Sequence, residues 1–303
     1  MTSGAMTSTD LVRTAELDDS GHRVWLCRED HGPLGSFKWR GTEGHCKALA
    51  ATGERGIVAA STGNFAAAVA WSAQRHGLEA HVVVPVSASG AKLALLEGSN
   101  ARVHRHGETL LDAAQKACEL ATGNGLRYFE DGGSPWQLDG IASLGRALAE
   151  RAPGLAAVVV PVACGALAAG VAHGLRAASS SAAVVGVQAR ACSRLAARFH
   201  GEPDPPSRPG ETIADGLADD RIVEPAFGVC QELLSDVVVI DEDDLWDAMR
   251  AIHRVTGTVP EAAGAAGLAG LRRWPARVPA GDVAVVVSGA NVSHEIEQRL
   301  VGA

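Results

Sequence analysis

Residues 155–172 read LAAVVVPVACGALAAGVA. An apolar run rich in valine comes first, then a turn of small residues, then alanine at helical density. The stretch is the longest apolar one in the chain, but Pro161, Gly165 and Gly170 interrupt it and alanine is only weakly hydrophobic. It therefore reads as a buried strand feeding a helix rather than as a membrane span. The same alternation recurs outward from it. Strands are expected over 56–60, 80–85, 102–104, 127–129, 156–162, 183–188, 237–240 and 283–287. Helices are expected over 42–51, 64–76, 91–97, 110–121, 138–150, 167–177, 242–256, 261–272 and 294–301. Several strands are apolar at every position, the pattern of parallel strands covered on both faces. The fold class is α/β, with open, twisted, mostly parallel sheets flanked by helices.

The 303 residues can bury a substantial core and suit two domains. Glycine-rich junctions at 53–56, 123–125 and 132–135 suggest a smaller domain over 52–134, inserted in a larger one built from 11–51 and 135–303. Residues 1–10 read as a tail without the basic start and apolar run of a signal peptide. Apolar residues at 47% and charged ones at 20% are ordinary for a globular enzyme. Abundant alanine and glycine with few aromatics fit close packing of helices on strands. The net charge of −8 argues against nucleic acid as a partner. The six cysteines, at 27, 46, 118, 164, 192 and 230, form no Cys-x-x-Cys pair, and no histidine cluster has metal-ligand spacing. They read as reduced, mostly buried thiols of a cytoplasmic protein, with no metal site.

Chemistry gathers at the strand-to-helix junctions, where open α/β sheets bind ligands. Gly35-Ser36-Phe37-Lys38-Trp39-Arg40-Gly41 sets one lysine among small and aromatic residues in a loop just before a helix, with no carboxylate within two positions. A lysine so placed can be desolvated and act as a nucleophile toward carbonyl groups. Ser61-Thr62-Gly63-Asn64 opens a helix, where hydroxyls and backbone N–H groups can bind a carboxylate. Ala163-Cys164-Gly165-Ala166-Leu167 lets backbone N–H groups approach a phosphate. Ser288-Gly289-Ala290-Asn291 brings a hydroxyl to the end of the last strand. Singly, these are a surface lysine, a helix cap, tight helix–strand packing and a turn. Their order and their common place at strand ends carry the reading.

From about Val24 to Asn291 the chain resembles the fold-type II pyridoxal-phosphate enzymes, the tryptophan synthase β-like family. Val24-Trp25-Leu26-Cys27-Arg28-Glu29-Asp30 resembles the strand and acidic loop ahead of that family's lysine motif, and residues 35–41 resemble the motif itself. By resemblance Lys38 carries pyridoxal 5′-phosphate as a Schiff base, with Phe37 beside it. Asn64 meets the 3′-oxygen, Ala163, Cys164, Gly165, Ala166 and Leu167 hold the phosphate, and Ser288 meets the ring nitrogen. Ser36, Ser61, Thr62, Gly63 and Phe65 are the implied substrate-binding residues. Glu211-Thr212-Ile213-Ala214-Asp215-Gly216 is similar to a segment of serine/threonine dehydratases and serine racemases, some of which bind a cation nearby. An acidic turn explains Glu211 and Asp215 equally well.

The chain departs from the family at three places. The phosphate loop keeps one glycine, Gly165, so Ala163, Cys164 and Ala166 serve only with negative φ. Phe65 stands where dehydratases carry histidine. Thr62 and Pro135-Trp136-Gln137-Leu138-Asp139-Gly140 have a threonine-synthase character. The resemblance implies β-elimination from a hydroxy amino acid such as serine or threonine, giving a 2-oxo acid and ammonia, in a homodimer; an appended regulatory domain is not expected, since the chain ends soon after Asn291. β- or γ-replacement by a threonine synthase-like or cysteine synthase-like transferase is the alternative. A dinucleotide binder, which lacks Gly-x-Gly-x-x-Gly spacing here, and a non-catalytic relative also stay open.

Overall fold

A computed structural model describes residues 9–61, 63–86, 93–219 and 221–302. The expected helix over 91–97 begins outside the described residues. By internal packing the chain divides into two compact units, one of residues 1–37 and 141–303, the other Lys38–Gly140.

The first unit holds a six-stranded sheet in the order β1-β2-β10-β7-β8-β9. Its strands are β1 (Leu11–Arg13), β2 (His22–Arg28), β7 (Leu155–Pro161), β8 (Ala183–Ala189), β9 (Asp236–Ile240) and β10 (Gly281–Val287). Only β1 runs antiparallel, and β10 pairs in parallel with both β2 and β7. Neither of the first two strands was among those expected from the apolar pattern, and only the family resemblance marked a strand from Val24: β1 is three residues long, and β2 opens with His22 and Arg23 ahead of a four-residue apolar run. The helices are α5 (Ala166–Ala177), α6 (Arg194–His200), α7 (Ala226–Leu233), α8 (Glu242–Thr256), α9 (Ala262–Arg273) and α10 (His294–Val301). Neither α6 nor α7 was expected, since both are short. Ten residues of α9 in succession, Ala262 to Leu271, are buried. Alanine and glycine make this possible: a Cβ on Gly270 would lie 2.4 Å from Val187 Cγ2, and one on Gly267 3.1 Å from Val159 O. The bias in composition is thus a consequence of a helix lying directly on the sheet.

The second unit carries a parallel sheet in the order β5-β4-β3-β6. Its strands are β3 (Gly56–Ala60), β4 (Glu79–Val84), β5 (Arg102–Arg105) and β6 (Arg127–Tyr128), with helices α1 (Lys38–Ala51), α2 (Asn64–Arg75) and α3 (Leu110–Asn124). Helix α4 (Pro135–Arg151) begins in this unit and continues into residues of the other. It starts three residues before the expected position: Pro135 suits the first helical turn, and the hydroxyl of Ser134 accepts from the N–H of Gln137 at 3.4 Å. Helix α1 also starts early, so Lys38 is its first residue rather than part of a preceding loop. The unit extends past the expected 52–134 on both sides because α1 packs on α2 and on the start of α4. A Cβ on Gly140 would sit 2.4 Å from Arg40 O, and one on Gly44 2.8 Å from Trp136 O.

All six cysteines are free; Cys118 is exposed and the other five are buried. Among the described residues no helix is long and apolar enough to cross a membrane.

Candidate active site

In the first unit β7, β8 and β9 follow one another outward, whereas β10 lies on the other side of β7. The carboxyl ends of β7 and β10 therefore flank a topological switch point, where such sheets open a crevice. Residues 163–167 follow β7 and residues 288–291 follow β10.

Gly165 caps α5 with φ +98°. Among the described residues only Ser20 and Ser179 combine a side chain with positive φ, so Ala163, Cys164 and Ala166 meet the condition set for them in the sequence. The one glycine kept stands at the one position of the loop that needs it. Ala169 N–H is the first to bond back, to Gly165 O at 2.9 Å. The N–H groups of Ala166, Leu167 and Ala168 therefore point out of the helix start, where the dipole favours an anion. A Cβ on Gly165 would lie 3.1 Å from Cys230 Sγ and 3.2 Å from Leu195 Cδ1. Burial pushes the Cys230 thiol up to about 12, so it stays neutral and donates to Gly165 O at 3.6 Å. Cys164 is buried and serves as a small filler.

The segment after β10 is laced to the segment ahead of Lys38. Phe37 N–H donates to Ser288 O (3.0 Å), Ala290 N–H to Gly35 O (2.9 Å), and Asn291 Nδ2 to Leu34 O (2.8 Å). Ser36 pairs with Gly289 in a short antiparallel bridge. Ser36, expected to touch substrate, is wholly buried, and its hydroxyl has no partner among the described residues. Phe37 and Ser288 are buried beside it. Helix α9 presses on this loop, since a Cβ on Gly264 would sit 2.3 Å from Gly289 O. Phe37 is the last residue of the first unit and Lys38 the first of the second.

The second unit has its own switch point. Strands β4 and β5 lie on one side of β3 and β6 on the other. After β3 come Ser61, Gly63 and Asn64; Thr62 lies outside the described residues. Ser61 Oγ accepts from Gly63 N–H at 3.4 Å. Gly63 caps α2 without a side-chain bond, and among the described residues a Cβ there would meet nothing within 4 Å. After β6 comes Asp131, and the Lys38 ammonium pairs with its carboxylate. Both side chains are mostly buried, at 16% and 13% exposure. Gln137 Nε2 donates to the other oxygen of Asp131 at 2.6 Å, and Gln137 Oε1 accepts from Gly132 N–H at 2.8 Å.

Phe65 forms one wall of this site. Lys38 Nζ lies 5.8 Å from its ring centroid, and the ring meets Phe129 edge-on at 5.0 Å. Phe65 is thus a core residue of this unit, buried against Phe129. Phe129 in turn stacks on His45 at 3.8 Å, and His45 Nδ1 meets Ser134 Oγ at 2.7 Å. Burial lowers the His45 pKa to about 4, so the imidazole is neutral near pH 7.

Asp131, Gln137 and His45 were missed in the sequence. A search for a carboxylate near Lys38 looks along the chain, but Asp131 is 93 residues away. Its place directly after a strand end was the available signal. Glu211 and Asp215 lie exposed in short turns, Glu211 3.4 Å from Arg208. Among the described residues no three His, Cys, Asp or Glu side chains gather as a metal site.

A family model described as pyridoxal-phosphate dependent enzyme matches residues 2–289. The chain belongs to this family. Pyridoxal 5′-phosphate is accordingly its cofactor, and the fold is that of the fold-type II enzymes. The chain is 33% identical over 291 residues to an L-threonine dehydratase biosynthetic of Haemophilus influenzae, a match covering 94% of this chain and 56% of the relative. The chain thus spans little more than half of that relative's length. It is 28% identical to the catabolic L-threonine dehydratase of Escherichia coli K12 over 92% of this chain and 86% of the relative. The processed form of threonine deaminase isoform 2 from Solanum lycopersicum superposes with a TM-score of 0.87 at 25% identity, covering 97% of this chain and 82% of that one. Membership excludes a Rossmann dinucleotide binder. Each unit taken by itself offers groups that fit the cofactor: the first has outward N–H groups after Gly165 for a phosphate, and the second has a lysine side chain that keeps 16% exposure.

Proposed function

We propose that this pyridoxal-phosphate enzyme is an ammonia-lyase that converts a hydroxy amino acid, serine or threonine, into a 2-oxo acid and ammonia. The observation that carries the reading is the Lys38 amine, enclosed but reachable at the carboxyl end of β6, in a chain whose relatives are named threonine dehydratases. Lys38 would hold the cofactor covalently, with Phe37 beside it and Asn64 and Ser288 at the ring. The N–H groups of residues 163–167 would hold the phosphate. The cofactor supplies an electron sink that makes the α-proton of a bound amino acid acidic.

Lys38 Nζ then takes that proton as general base. Ser61, Thr62 and Gly63 would receive the substrate carboxylate at the start of α2, where the helix dipole favours an anion. Ser36 and Phe65 would complete the set of substrate-binding residues. Ser288 would offer the ring nitrogen a neutral hydroxyl, which need not keep that nitrogen protonated and so would temper the electron sink. Water lost across Cα–Cβ returns in hydrolysis, so the products are one 2-oxo acid and one ammonia. On this reading residues 11–51 and 135–303 are the cofactor-binding domain, and 52–134 carry the asparagine loop. The free, mostly buried thiols support a cytoplasmic enzyme, and the family supports a homodimer.

The test is a panel of amino acids assayed for equimolar ammonia and 2-oxo acid. Release from serine or threonine supports the proposal. Consumption only when a nucleophile is added, without ammonia, would replace it with a β-replacement transferase.

A further inference from the structure

We infer that Asp131 is a positioning residue for Lys38: clamped by Gln137, its carboxylate holds the ε-amine in place as an ammonium until the cofactor arrives. The inference rests on the assignment of Lys38 made above. Three features of the second unit carry it.

The first is the clamp. Gln137 is 1% exposed, and its amide orientation is fixed because Oε1 takes the N–H of Gly132 while Nε2 donates to Asp131. One carboxylate oxygen is thereby occupied and the other is presented to Lys38. The second is enclosure. Lys38 and Asp131 are both mostly buried, and the Phe65 ring lies against the amine. Attraction between opposite charges grows as water is excluded. The third is the helix. Lys38 is the first residue of α1, and no acidic side chain lies in that helix's first turn. The positive end of the helix dipole disfavours an ammonium there. Asp131 supplies from the far side of the sequence the negative charge that the helix lacks.

Removing the charge while keeping the shape therefore has a definite effect. In Asp131→Asn the Gln137 donor still selects the amide oxygen, which turns the amide N–H₂ toward Lys38. Two donors then face each other, and the neutral amine, which can accept, is favoured. A neutral amine is a nucleophile and an ammonium is not.

The experiment labels cofactor-free protein at pH 7.5 with an N-hydroxysuccinimide acetate reagent and counts modified peptides by mass spectrometry. Lys116, half-buried and paired with Glu119 on the same helix, is the internal standard. Asp131→Asn is expected to raise the Lys38 rate about 10-fold or more relative to Lys116, the effect of losing an opposite charge at contact distance. Asp131→Glu is expected to bring the rate back toward wild type, and Gln137→Met, which frees the carboxylate, to fall between. An unchanged Lys38 rate in folded Asp131→Asn overturns the inference. So does an Asp131→Glu rate as high as that of Asp131→Asn, because that pattern reports loosened packing rather than charge. Borohydride reduction of cofactor-loaded wild type reads the underlying assignment separately: label on another lysine removes Lys38 from its role whatever the acetylation rates show.

Discussion

Gly165→Ala is the sharpest test of the proposed phosphate loop, because two independent penalties meet at one methyl group. The backbone there has φ +98°, a conformation that costs an L-residue about 1–2 kcal/mol. The new Cβ would also lie 3.1 Å from Cys230 Sγ and 3.2 Å from Leu195 Cδ1, in a core where extra volume costs about 1–3 kcal/mol. The expected loss of stability is therefore about 2–5 kcal/mol. Urea unfolding of cofactor-free protein measures it, since bound cofactor would add its own stabilisation. With a slope of about 2–3 kcal/mol per molar urea, the upper part of the usual range for a chain of this length, the midpoint falls by about 0.7–2.5 M. The two penalties separate in a double-mutant cycle. Cys230→Ala removes the sulfur but leaves φ unchanged, so the double variant should recover only the steric share, a coupling of about 0.5–3 kcal/mol. Cofactor titration followed by absorbance should show weaker binding in Gly165→Ala, because the strained turn redirects the N–H groups after it. A wild-type urea midpoint in Gly165→Ala would refute the reasoning, and strict additivity with Cys230→Ala would refute its steric half.

Phe65→Ala is expected to destabilise the unit Lys38–Gly140 by about 3–5 kcal/mol, measured by urea unfolding, because the ring is buried against Phe129. His45 makes stability depend on pH. Burial lowers its pKa from 6.5 to about 4, so between those values the unfolded chain binds a proton that the folded chain refuses. The native state is fully favoured above pH 6.5 and loses roughly 1.4 kcal/mol per pH unit as the pH falls toward 4. The difference in unfolding free energy between wild type and His45→Asn, followed from pH 7 to 4.5, should shrink along that slope; a flat difference would show that the imidazole is protonated in the folded state.

Much of the fold was legible because its signals are local. The valine run of β7, the alanine pattern of α5 and the turn between them lie within a few tens of residues, and backbone periodicity requires nothing from elsewhere in the chain. Gly165 was legible for the same reason: a strand ending in a small-residue turn before a helix announces the geometry, and the structure places the left-handed residue there. Elements that depend on their neighbours were harder to see. The short β1 exists because β2 offers it an edge. Helix α1 reaches back to Lys38 rather than starting at Thr42, with the Thr42 hydroxyl bonded to Lys38 O at 3.2 Å.

The sequence by itself determined the α/β class and marked the strand-to-helix junctions and Lys38 as candidates, since periodicity, turn chemistry and residue type are properties of short segments. Only the tertiary structure decided what Lys38 meets. Strand order brings the end of β6 beside β3, and with it come Asp131, Gln137 and the Phe65–Phe129–His45 stack. Charge pairing and desolvation depend on distance in space, and no local pattern encodes a partner 93 residues away.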